Sequence, residues 1–146
     1  MKKIDKTLLD IRSFEGEGYQ PLIDCDQWRV AILRYCDELL PERIFAVQRH
    51  NETDEVFVLL EGRCILFLGE GKDTVTSITA VDMQPRKIYN VKRGVWHSHT
   101  LDRDTSVLIV ENRDTTVTNS PKIILNDDHR RKIVDITREL WLEENQ

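Results

Sequence analysis

The chain has 146 residues, 40% of them hydrophobic and 32% charged, with a formal net charge of −5; this suits one domain with a single core under a solvated surface. No basic patch with interleaved aromatics is present, which argues against a nucleic-acid partner. No apolar run is long enough to cross a bilayer, which argues against a membrane-spanning role. The positive start Met1-Lys2-Lys3 has no apolar stretch behind it, and Cys25, Cys36 and Cys64 are odd in number without Cys-x-x-Cys spacing. The expectation is a cytoplasmic protein with free thiols.

In chain order, Leu8, Leu9 and Ile11 behind a cap at Asp5 or Thr7 favour a short helix over residues 5–13. Gly16, Gly18 and Pro21 then predict a loop. Trp28 to Tyr35 reads as the first strong strand, with Val30 and Ile32 on one face. Pro41 and Glu42 make a turn, and Arg43 to His50 is the next strand. The polar residues 51–54 suit a hairpin connection to a strand over Glu55 to Glu61. Cys64 to Leu68 follows Gly62, the stretch Gly69 to Asp73 has turn chemistry, and Thr74 to Met83 alternates as a strand. Ile88 to Val91 is a short strand, and Thr105 to Glu111 is a buried one. Many short strands without intervening helices indicate an antiparallel sandwich or barrel. A single domain over residues 1–146 is expected, with its barrel core over about 28–125. Asn126 or Asp127 caps a helix from about 128 to 143, whose Ile133, Ile136, Leu140 and Trp141 fall near helical spacing. That stripe would pack outside the barrel or on a second subunit. A homodimer is expected, because a sheet of this size exposes edges that a two-fold interface covers.

Strands alternate faces with period two, so Gln48 and His50 share a face, and Glu55 opens the return strand opposite them. The three side chains can converge. A solvated turn would carry such residues too. The spacing His50, four residues, Glu55, six residues, Gly62 resembles the first motif of the cupin superfamily, with Gln48 where that family has another histidine. Lys92-Arg93-Gly94-Val95-Trp96-His97 is similar to the second cupin motif, with Lys92 in place of a proline and Leu101 in place of an asparagine.

This resemblance, over roughly residues 43 to 112, implies an all-β, antiparallel double-stranded β-helix, the cupin or jelly-roll barrel, with short helices at both ends. It implies a metal site of Gln48, His50, Glu55 and His97. Two imidazoles, a carboxylate and an amide oxygen suit Mn, Fe, Co, Ni or Zn as a divalent ion. His99 shares the parity of His97 and is a candidate ligand or, with His97, a candidate proton carrier; a strand-end histidine would look the same. The stretch 93–97, with Tyr89-Asn90-Val91 before it, is also similar to the ureidoglycolate lyase family. That likeness implies a small hydroxy acid, with Trp96 walling the pocket and Arg49, Arg86 or Arg93 pairing the carboxylate. Glu52, Asp54 and Glu61 are available carboxylates with no spacing that singles out a pair. Three functions fit: a metal-dependent lyase or isomerase acting on a small polar hydroxy or oxo acid or a sugar-like compound, a non-catalytic module that holds a small ligand on a degraded metal site, or an interaction scaffold working through the C-terminal helix.

Overall fold

The computed structural model describes residues 2–142. Its strands are β1 (Gly18–Cys25), β2 (Trp28–Arg34), β3 (Ala46–Gln48), β4 (Glu55–Glu61), β5 (Cys64–Glu70), β6 (Ser77–Asp82), β7 (Tyr89–Val91), β8 (Trp96–Leu101), β9 (Ser106–Asn112) and β10 (Lys122–Ile124), followed by helix α1 (Asp127–Leu142). They form two five-stranded sheets, β1-β2-β9-β4-β7 and β10-β3-β8-β5-β6. Every pairing among them is antiparallel. This is the expected jelly-roll architecture.

Alternation along the strands explains how the layers form. Phe57, Leu59, Leu66, Leu101, Val107 and Ile109 point between the sheets and make the main core. The opposite faces of β5, β6 and β8 carry Ile65, Phe67, Ile78 and Trp96, which α1 covers with Ile133, Leu140 and Trp141. The helix thus packs on its own sheet, and Asn126 is its cap: the Asn126 Oδ1 accepts from the His129 N–H at 2.8 Å. Residue 143, the expected end of the helix, lies outside the described residues.

Four expectations are corrected. Residues 5–13 form no helix, only one turn in which the Asp5 carbonyl accepts from the Leu8 and Leu9 N–H groups at 2.9 and 3.2 Å. Leu8 and Ile11 stay exposed, so no packing offsets the cost of helix nucleation. The predicted loop at Gly18 and Pro21 is strand β1. Its place at the edge of its sheet tolerates a proline, and the register shifts by a bulge between Pro21 and Ile23. The strand predicted over 43–50 shrinks to β3, because Pro41–Arg43 is a 3-10 turn. Most consequentially, residues 51–54 are not a hairpin: β3 pairs with β10 and β8, whereas β4 pairs with β9 and β7. The segment crosses from one sheet to the other.

Gly62 sits between β4 and β5 with φ of 80°, a conformation that side chains with a Cβ rarely adopt. A Cβ there would also lie 2.6 Å from the Thr105 Cα. The glycine at this motif position is therefore required by space as well as by backbone.

Candidate metal centre

Because residues 51–54 cross between the sheets, His50, two residues past the end of β3, and Glu55 at the start of β4 face each other across the interior. His97 joins them from β8, where Gln48 is its strand neighbour. All three chemical groups are buried. The two loops that carry the motifs are tied to each other. The Gly94 N–H donates to the His50 carbonyl at 2.7 Å. The Asp54 carboxylate accepts from the Arg93 N–H at 2.8 Å and from the Asn90 amide at 3.0 Å. The Arg93 N–H first, and then the Asn90 amide, hold the Asp54 carboxyl below the ordinary carboxylate range. Asp54 is thus a bracket between the loops rather than a free base.

The hydrogen bonds behind the imidazoles decide what faces inward. His97 Nδ1 lies 3.0 Å from the Val95 carbonyl, which can only accept, so Nδ1 carries the proton. His50 Nδ1 lies 2.7 Å from the Ser120 Oγ, whose own proton goes to the Asn119 Oδ1 at 2.9 Å, so this Nδ1 donates as well. Both neutral rings then present an Nε2 lone pair. Those lone pairs aim at the same carboxylate oxygen, Glu55 Oε2, at 3.0 Å from His50 and 2.7 Å from His97. Three lone-pair donors at such separations repel unless a positive charge lies among them, either a proton or a metal ion. Burial alone would push the Glu55 carboxyl up; where the positive charge is a proton, the Nε2–H bonds from His50 and His97 outweigh burial and hold the carboxyl below its ordinary range. Burial likewise works to lower His97, but the Glu55 bond and charge leave it raised. The donor atoms of His50, Glu55 and His97 all lie within 4.8 Å of one another, so this group could hold a metal ion. The residues fit one, since each imidazole is oriented from behind in the way that metal-ligating histidines are.

Beside the group opens a cavity of about 380 Å³. Gln48, His50, Glu55 and His99 face it, and so does Glu111 of β9, a residue that periodicity did not single out. Glu111 follows Val110, the partner of Val56 in the ladder, and so stands beside Glu55 on the neighbouring strand. Its Oε2 is 3.6 Å from His50 Nε2, and its Oε1 accepts from the Tyr19 hydroxyl at 2.6 Å. Burial and then the Glu55 charge push the Glu111 carboxyl up from its usual range. Burial also pushes the His99 imidazole down, to about 4, so that ring is neutral at pH 7.

The remaining expected site residues lie elsewhere. Trp96 is buried in the layer between sheet and helix, where its Nε1 donates to the Lys72 carbonyl at 3.3 Å. The Arg49 guanidinium sits 4.3 Å from the Trp96 ring and donates to the same carbonyl at 2.6 Å. Arg93 is exposed, 4.0 Å from Asp54, and Arg86 is exposed too. None of these four lines the cavity. The Gly-x-Trp-His stretch is accounted for by a turn, a core aromatic and His97, without a carboxylate-binding arginine.

No protein-family model matches the sequence, and neither does any curated protein. Solved structures do resemble the fold. Pac13, described as a unique nucleoside dehydratase, has a TM-score of 0.53 at 9% identity, with 80% of this chain and 87% of that one covered. A Streptomyces Pac13 variant with uridine gives a TM-score of 0.53 at 10% identity, covering 80% of this chain and 86% of that one. A cupin superfamily protein from Desulfitobacterium hafniense gives 0.49 at 14% identity, covering 74% and 86%. At these identities the likeness concerns architecture alone. The two antiparallel sheets, with both motif loops meeting between them, are the cupin fold.

Proposed function

We propose that this chain is a small metal-binding cupin that acts as a lyase- or isomerase-type enzyme on a small polar compound. The observation that carries the reading is the pair of imidazole lone pairs trained on one buried carboxylate oxygen, a donor set that invites a divalent cation. His50, Glu55 and His97 would hold the ion, with Gln48 as a neutral neighbour in the cavity wall. A bound divalent ion would supply Lewis acidity toward a carbonyl or hydroxyl oxygen. The chain's own part is to bury the donors, fix both tautomers through Ser120 and Val95, and present His99 and Glu111 to the cavity as the groups placed to exchange a proton with a ligand.

Elemental analysis after equilibration with Mn, Fe, Co, Ni and Zn tests the reading directly. Wild-type protein is expected to retain close to one ion per chain, and His50→Ala or Glu55→Gln to retain almost none. A wild type that takes up none of these ions sinks the metal reading. A second reading, a binding module without turnover, is favoured by one observation: Gln48 stands where a stronger imidazole donor would complete the set. A metal-loaded protein that binds a ligand and leaves it unchanged decides for that alternative.

A further inference from the structure

The charges around the cavity are one-sided. Glu38 at its mouth and Glu55 and Glu111 inside it are all carboxyl groups, and no lysine or arginine among the described residues lines it. Arg29, which shares the Tyr19 hydroxyl, is held through both arms of its guanidinium by Asp24 at 2.7 and 3.0 Å and is not part of the lining. A ligand carboxylate or phosphate, which only accepts hydrogen bonds, would face three groups that also accept when ionised. A bound divalent ion would offset part of this charge and could itself ligate a carboxylate, so the exclusion of an anion belongs to the metal-free form.

The same wall has donors to spare. The Gln48 amide makes no side-chain hydrogen bond among the described residues, and it lines the cavity. The His99 ring lines it as well, and its Nδ1 is enclosed without a partner. An enclosed N–H would be costlier than an enclosed lone pair, so the proton belongs on Nε2, the edge that is not enclosed. Between these polar groups, Leu33, Leu39 and Ile109 give an apolar floor. Acceptors on one side, unpartnered donors on the other and an apolar floor match a molecule whose groups both give and take hydrogen bonds along an aliphatic skeleton.

We propose that this cavity binds an uncharged polyhydroxylated small molecule and discriminates against the corresponding acid, its hydroxyls donating to Glu38 and Glu111 and accepting from Gln48 and His99. This rests on the metal-site reading only in taking the same cavity as the ligand site. The charge argument applies to the metal-free form.

Saturation-transfer NMR and titration calorimetry with D-glucose, ribitol and uridine, against D-gluconate and D-glucosamine, test it in both zinc-loaded and metal-free protein. At least one uncharged member is expected to bind. D-gluconate should bind at least tenfold more weakly than that member in the metal-free form, where D-glucosamine, the control for the sign of the charge, should bind no more weakly than D-glucose. His99→Phe and Gln48→Leu should each weaken the uncharged member roughly five- to tenfold. In the metal-free form, tighter binding of D-gluconate than of the uncharged member, weaker binding of D-glucosamine than of D-glucose, or no binding of any uncharged member at high millimolar concentration overturns the inference. Direct zinc titration of the wild type reports separately on the metal reading. Failure to take up zinc with the uncharged-over-acid order intact removes that reading and leaves this one standing, and zinc uptake with D-gluconate preferred by the metal-free form does the reverse.

Discussion

The proton on His97 sets the pH behaviour of the site. Its pKa is raised above 6.5 by Glu55 despite burial, and a metal ion must displace that proton to reach Nε2. Zinc affinity is therefore expected to climb with pH through and beyond 6.5, and calorimetry in buffers of different ionisation enthalpy should register the released proton. In the metal-free protein the linkage has the opposite sign. A raised imidazole contributes stability that is fully present below its unfolded value and is lost as pH rises through the folded one. Metal-free wild type should lose more thermal stability than His97→Gln between about pH 6 and pH 8. Ser120 offers an independent test, since it fixes the His50 tautomer from behind. Ser120→Ala should weaken zinc binding roughly 10- to 100-fold while leaving the fold intact, as read by competition with a chelating dye. At this scale the motif spacing exposed His50, Glu55 and His97 readily, because their chemistry depends on residue type and register alone. Ser120 and Glu111 stayed hidden. Ser120 meets His50 from seventy positions along the chain. Glu111 closes an apolar run, and only its parity with Val107 and Ile109 hints that it points inward.

Among the elements, the two motif glycines make different demands. Gly94 has φ of 79° and open space, with no atom within 4 Å of where a Cβ would stand, so Gly94→Ala carries only a backbone cost of about 1 kcal/mol. Gly62→Ala adds the collision with Thr105 and should cost clearly more, about 2–4 kcal/mol. Urea unfolding of the two variants compares them, and equal losses would count against a steric role for Thr105. The strands themselves were legible where apolar residues alternate or run together, as over Glu55–Glu61 and Ser106–Asn112. The partners of β3 were not. Four polar residues between two strands look alike whether they close a hairpin or cross an interior, and only the long-range pairing of Gln48 with His97 distinguishes the cases. Likewise β1 was hidden by Gly18 and Pro21, which an edge strand accepts and a central one would not.

For the molecule as a whole, the helix and the barrel share one packed layer. Ile133 is fully enclosed between α1 and its sheet, so Ile133→Ala should cost about 2–5 kcal/mol in unfolding experiments. Zinc binding by the folded fraction should be unchanged, because the site lies on the other side of that sheet. The edges β1 and β10, with Leu8, Ile11 and Ile124 exposed nearby in sequence, favour a two-fold dimer. Sedimentation equilibrium is expected to give a two-chain species, and a single-chain mass at micromolar concentration would refute it. The crossing of residues 51–54 has one more effect. Since β3 and β8 belong to one sheet and β4 to the other, an ion shared by His50, His97 and Glu55 would rivet the two leaves together at their open end. Slow amide exchange in that region should then become a gauge of ion concentration, with opening suppressed by roughly 2.7 kcal/mol at a hundredfold excess over Kd.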